Sequence, residues 1–93
     1  SPEKILEKHK ITDINTASIE QLELAVSDLS IALKTLVWED RKPYLILKSD
    51  IKGRIMIKKS EEDLNASKKE LEENNKKLAL VKEIVWSLQQ KKQ

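Results

Sequence analysis

Residues 16–38 carry two apolar stripes, and this pattern constrains the fold more than any other feature of the chain. The first stripe alternates spacings of three and four, which places its members on one face of an α-helix. The second stripe recurs every seven residues and lies about 140–180° away on a helical wheel of about 100° per residue. The first stripe comprises Ile19, Leu22, Val26, Leu29, Leu33 and Leu36, and the second stripe comprises Ala17, Leu24, Ile31 and Trp38. A helix with two apolar faces needs two neighbours, from within the chain or from another copy.

A second helical pattern covers residues 60–90. Ser60 is predicted to be its N-cap, followed by acids that favour the positive end of a helix. Apolar residues then recur every seven positions, each followed three positions later by a second residue facing the same way. This seam comprises Leu64, Ser67, Leu71, Asn74, Leu78, Val81, Val85 and Leu88. The pattern predicts a coiled-coil helix whose seam is polar at alternate positions in its first half, and whose last turns are apolar nearly all round.

The connector between these helices, residues 41–59, is predicted to form a β-hairpin. Pro43 disfavours helical geometry at the preceding residue, so the first helix is expected to end near Asp40. Two β-prone runs, 44–48 and 54–58, flank a segment with Asp50 and Gly53 at the first and fourth positions of a turn.

A helical connector stays open as the alternative at residues 44–58. Leu47, Ile51 and Ile55 also follow a three-to-four period, which is helical. Gly53 would then lie inside a helix, at a cost of about 1 kcal/mol. Short apolar runs do not distinguish the two readings by periodicity alone.

Together these elements predict a mainly α fold in a single helical domain, residues 1–93. Two long antiparallel helices, 16–40 and 60–90, pack along their apolar stripes as a coiled-coil-like helical hairpin joined by the connector. Residues 1–15 form an N-terminal segment with a short helix. The layout of residues 16–90 resembles that of prefoldin-type chaperone subunits, whose coiled-coil arms project from β-hairpins. The resemblance implies a holdase that binds unfolded clients.

Composition excludes most catalytic constellations. The chain has no cysteine, one histidine and one glycine, which leaves no thiol chemistry and no glycine-rich phosphate loop. His9 lies in a polar stretch and is predicted to be solvated. The carboxylates alternate with lysines at helical spacing, as on a solvated helix face. We therefore expect no enzyme activity, no metal and no cofactor.

The strongest local charge feature is a basic window in the connector. Five basic residues against one acid make it a candidate anion contact, and a nucleic-acid accessory role is one alternative function. These residues are Lys48, Lys52, Arg54, Lys58 and Lys59. The window lacks stacking aromatics, and lysines also guard hairpin edges against aggregation. We therefore do not expect nucleic acid as a partner.

The leading hypothesis is a non-enzymatic protein–protein interaction or oligomerisation module that acts through helix–helix packing, with a prefoldin-like holdase as an alternative. The predicted contact residues lie in the second stripe and in the apolar last turns. They are Leu24, Ile31, Trp38, Val81, Ile84 and Trp86. We expect a homo-oligomer, most simply a dimer, with another protein as a further partner. No run approaches the roughly 18 apolar residues of a membrane span, so we expect no membrane contact and favour a soluble, intracellular protein.

Overall fold

The computed structural model describes residues 1–92, which form three α-helices and one 3₁₀ turn. The elements are α1 (Glu3–Lys8), α2 (Ile19–Thr35), the 3₁₀ turn (Trp38–Asp40) and α3 (Arg41–Lys91). The chain divides into two compact units, Ser1–Ser60 and a second that begins at Glu61. The division falls inside α3, so α3 belongs to both units.

The start of α2 follows the capping chemistry of the sequence. Ser18 is the N-cap, and its Oγ accepts a hydrogen bond from the backbone N–H of Gln21 at 3.1 Å. The Gln21 side chain in turn accepts from the backbone N–H of Ser18 at 2.9 Å, which completes a capping box. At the other end Leu36 adopts an extended conformation and stops the helix. The capping box follows from the spacing of Ser18 and Gln21, whereas the predicted helical range 16–40 is too long at both ends.

The core of the first unit forms where α2 packs on the first part of α3. Leu22, Leu29 and Ile51 are fully buried, and Tyr44, Leu47 and Ile55 of α3 pack against the same cluster. Lys59 reaches Glu23 near the start of α2, with 3.6 Å between Nζ and Oε1. Because the chain turns back over Leu36 to Asp40 at the other end of α2, the two helices run antiparallel.

The N-terminal segment closes this core from a second side. Ile11 and Ala17 are buried, and Ile5 and Leu6 of α1 pack against the cluster. Helix α1 ends with Lys10 in the left-handed region, at φ 57°. The backbone N–H of Lys10 donates to Glu7 O, and that of Ile11 donates to Leu6 O. This is the Schellman arrangement, which satisfies the last carbonyls of the helix and directs Ile11 inward.

The predicted β-hairpin is wrong. No residue of 1–92 is in a strand, and residues 44–58 lie inside α3. The helical reading places Tyr44, Leu47, Ile51 and Ile55 on one face, where Ile51 is fully buried and the other three are partly buried against the core. A two-stranded hairpin alone is marginally stable in water, so this burial outweighs the helical cost of Gly53.

The predicted pair of long helices is also wrong. No helix starts at Ser60, because the helix that contains it already begins at Arg41. Pro43 lies in the first turn of that helix, where a missing N–H costs nothing, so it marks a helix start rather than a helix end. The first stripe packs against residues 44–55 instead of the seam. The helix–hairpin–helix layout that resembled prefoldin subunits is therefore absent from residues 1–92.

Residues 61–92, taken by themselves, consist of the remaining turns of α3 and the residue after it. Every side chain of this stretch is exposed. Its large apolar residues, including those of the seam, have 47–62 % of their surface in water. The second unit thus has an amphipathic pattern but no core in a single chain.

Gly53 gives a test of the helical connector. An added Cβ at Gly53 meets no atom within 4 Å, and its φ is not positive. We expect Gly53→Ala to raise the free energy of unfolding by about 1 kcal/mol, because alanine loses less backbone freedom in a helix. Urea unfolding followed by circular dichroism measures this change. The exposed Ser49→Gly in the same helix is the matched control and should lower stability; a loss of stability in Gly53→Ala would contradict the helix.

Candidate functional site

The seam is the longest unpaired apolar surface on the described chain. Leu64, Leu71, Leu78 and Val85 occupy one heptad position, and Ser67, Asn74, Val81 and Leu88 occupy the position three residues later. The helix is continuous through all eight residues, so they lie along one face. A face of this kind binds another helix by knobs-into-holes packing.

The three predicted contact residues near the end of α3 do not share one face. Val81 belongs to the seam, and Ile84 lies beside it, about 70° from the seam centre. Trp86 points about 130° away from the seam centre, and Leu80 does the same on the other side. All four side chains are more than half exposed. A partner packed on the seam therefore covers Val81 and Ile84 and leaves Trp86 outside that contact.

The second stripe is only partly exposed. Ala17 is buried in the core, whereas Leu24 and Ile31 are exposed on α2. Trp38 is 81 % exposed but lies in the 3₁₀ turn, beyond the break at Leu36, so it does not continue the α2 face. Helix α1 lies beside Ile31, with Ile5 and Lys8 lining a shallow depression there, and leaves Leu24 uncovered. The binding role of Leu24, Ile31 and Trp38 stays a prediction.

The five basic residues of the connector do not form one patch. On the α3 wheel Lys48, Lys52 and Lys59 flank one side of the stripe that packs on α2, and Arg54 and Lys58 flank the other. Lys59 is already engaged by Glu23. The β-turn that would have brought these charges together is absent from the described residues. The presence of the five charges is therefore the only support for an anion contact.

A cluster of ionisable groups joins α1 to α2, and sequence reasoning missed it. His9 Nε2 lies 2.6 Å from Asp28 Oδ2, and Lys8 Nζ donates to the same oxygen at 2.9 Å. An ionised carboxylate only accepts hydrogen bonds, so Nε2 carries the hydrogen. The His9 side chain is 13 % exposed, which corrects the expectation of a solvated histidine.

The cluster changes the protonation of Asp28. Hydrogen bonds from Lys8 and His9, with their charges in support, hold the pKa of the Asp28 carboxyl below its ordinary value, although partial desolvation opposes them. The ionised form is therefore favoured in the folded chain. No serine, threonine or further acid contributes to the cluster within the described residues, and its arrangement is that of a tether between two helices.

Gln21 is a second link between the N-terminal segment and α2. Besides its part in the capping box, its Nε2 donates to His9 O at 3.0 Å and approaches Lys10 O at 3.4 Å. The Gln21 side chain thus forms hydrogen bonds with backbone groups both at the start of α2 and just after α1. The spacing of Ser18 and Gln21 predicts only the first of these roles.

A shallow groove lies between α2 and α3, with Val26 and Ile55 among its lining residues and the Glu23–Lys59 pair at its rim. Residues 1–92 contain no group of three or more potential metal ligands. Within the same residues, no helix is both long and apolar enough to cross a lipid bilayer.

Comparison of the chain with family models, with curated proteins and with solved structures finds no match.

The pH dependence of stability tests the α1–α2 tether. The folded-state pKa of Asp28 lies below its unfolded value, so its stabilising contribution is complete above the unfolded pKa and disappears as the pH falls through the folded pKa. We expect Asp28→Asn to lower stability at pH 7, and the difference from the unmodified chain to vanish in acid. Unfolding in denaturant between pH 7 and pH 2 measures this. Glu62→Gln, which changes an exposed acid, is the control. It should alter the free energy of unfolding neither at pH 7 nor in acid.

Gln21→Glu separates the two roles of Gln21. The variant keeps an oxygen for the Ser18 N–H but turns the donor toward His9 O into a second acceptor. The helix dipole by itself favours a carboxylate at this position, by up to about 1 kcal/mol. We nevertheless expect a net loss of about 1 kcal/mol, because two carbonyls lose their donor and face a negative charge. Denaturant unfolding provides the measurement; equal or higher stability would show that Gln21 acts in the cap alone.

Proposed function

We propose that this chain is a non-enzymatic oligomerisation and protein–protein interaction module that acts through helix–helix packing. The observation that carries the proposal is the seam, which is regular over residues 64–88 and exposed along its whole length. Fully exposing one large aliphatic side chain forgoes roughly 1.5–3 kcal/mol relative to burial. Six apolar side chains in one line therefore give a large incentive to bind a second helix.

The seam takes precedence over the second stripe as the main contact. The sequence predicts a partner for the second stripe because it predicts that the first stripe covers the seam. In the structure residues 44–55 occupy the first stripe instead. Leu24 and Ile31 remain as a smaller exposed surface, suited to a further protein contact. The holdase and nucleic-acid alternatives are not carried further, because their supporting hairpin is absent from the described residues.

Substitutions in the seam test the proposal. We expect the unmodified chain to sediment as an oligomer at micromolar concentrations, and Leu71→Glu with Leu78→Glu to sediment as a monomer, because two charges per helix would be buried. Leu80→Glu is the matched control, since Leu80 lies outside the seam at similar exposure, and it should keep the oligomer.

A second control separates the two surfaces. Ile31→Glu with Trp38→Glu changes the second stripe and should leave the seam-dependent mass unaltered. A strict monomer for the unmodified chain at several hundred micromolar, by light scattering, would contradict self-association. An oligomer that survives the seam substitutions but not those in the second stripe would move the contact to α2.

A further inference from the structure

We infer that the partner of the seam is a second copy of this chain, bound antiparallel along residues 61–84. The inference rests on the proposed function and specifies both the occupant and its direction. It is argued from the distribution of charge and of polar residues along the exposed stretch of α3.

The charges of residues 61–92 separate into two halves of opposite sign. Residues 61–75 contain six acids and two lysines, a net charge of −4, and residues 76–92 contain five lysines and one acid, a net charge of +4. All these side chains are exposed. A parallel pair sets each half beside its equal, whereas an antiparallel pair with its two-fold axis between residues 72 and 73 sets residues 61–69, with a net charge of −1, beside residues 76–84, with a net charge of +2. Electrostatic complementarity of this kind selects orientation.

The residues that border the seam repeat this preference in detail. In a parallel pair Lys77 of one copy faces Lys82 of the other, and Asp63 faces Lys68, so repulsion cancels attraction. An antiparallel pair with its two-fold axis between residues 72 and 73 instead brings Glu70 beside Lys77. The same register brings Glu61 beside Lys82. By symmetry this gives four attractive contacts.

The seam itself fits the same register. In a parallel pair Ser67 meets Ser67 and Asn74 meets Asn74, which leaves two layers without an apolar side chain. In the antiparallel register Ser67 meets Leu78, and Asn74 meets Leu71. Leu64 meets Val81, so each of these layers contains at least one large aliphatic group and none is empty. The polar side chains of one seam are thus covered by Leu71 and Leu78 of the other.

A two-fold antiparallel pair also closes on itself. Both copies use the same residues, so the contact does not propagate into a filament. This property suits a module that sets a defined number of copies. Trp86 and Leu80 remain on the outside of the pair, at either side of the basic half.

Distances between labels decide the orientation. The chain lacks cysteine, so Glu62→Cys or Lys76→Cys introduces one unique label on the outer face of the helix. In the antiparallel register two labels at position 62 lie roughly 40 Å apart and two at position 76 roughly 20 Å apart, from a rise of about 1.5 Å per residue. Pulsed electron paramagnetic resonance on the dimer should give these two different values.

The outcomes separate the inference from the proposed function. Equal distances of roughly 20 Å at both positions would show a parallel pair, which overturns the inference and leaves the oligomerisation module standing. A monomer under the same conditions would overturn both. Unequal distances with the longer one at position 62 support the antiparallel pair.

Charge reversal provides an independent test of the antiparallel orientation. Glu70→Lys, Glu72→Lys and Glu73→Lys together change the acidic half from −4 to +2. In the antiparallel register position 70 lies beside Lys77 of the other copy, so a lysine there repels it and self-association should weaken by roughly tenfold or more at low salt, and less at high salt. Mixing with Lys76→Glu, Lys77→Glu and Lys82→Glu should restore association. In a parallel pair the first variant relieves repulsion, so unchanged or tighter self-association would contradict the inference.

Discussion

The burial of Ile51 against Leu22 and Leu29 is the contact on which the other features depend. The first stripe of α2 can cover only one partner stripe, and the chain offers two: residues 44–55 and the seam. Packing on residues 44–55 requires the shorter connecting loop, because the five residues from Leu36 to Asp40 suffice to reverse the direction of the chain. Closing a short loop costs less conformational entropy than closing a long one. Once this pairing forms, the seam is left in water.

The elements that could be predicted are those with local chemistry. The capping box at Ser18 and Gln21, the short N-terminal helix and the buried face of α2 all follow from side chains a few residues apart. The connector could not be predicted in this way, because Leu47, Ile51 and Ile55 suit a strand and a helix equally well. Tertiary burial decides between them. Pro43 shows the same limitation, since its lack of an N–H is compatible with the first turn of a helix as well as with its end.

The residues of the seam could be predicted from the sequence, but their exposure to solvent could not. The seven-residue period of Leu64, Leu71 and Leu78 is visible in the sequence. Whether these side chains are buried depends on which part of the chain packs against α2. The His9–Asp28 contact had no local signal at all, because it joins residues nineteen positions apart. It arises from the left-handed conformation of Lys10, which changes the direction of the chain after α1. Helix α1 therefore lies alongside α2.

The continuity of α3 explains how residues 61–91 can be helical without a core of their own. Starting a helix is the costly step, because several residues lose freedom before hydrogen bonds compensate, whereas each added residue costs little. The first unit supplies that start, since Ile51 and Ile55 hold the earlier turns of α3 against α2. Propagation through residues rich in lysine, glutamate and leucine then continues at favourable helix propensity. A preformed helix loses less entropy on binding than a chain that folds at the same moment, which favours the proposed pairing along the seam.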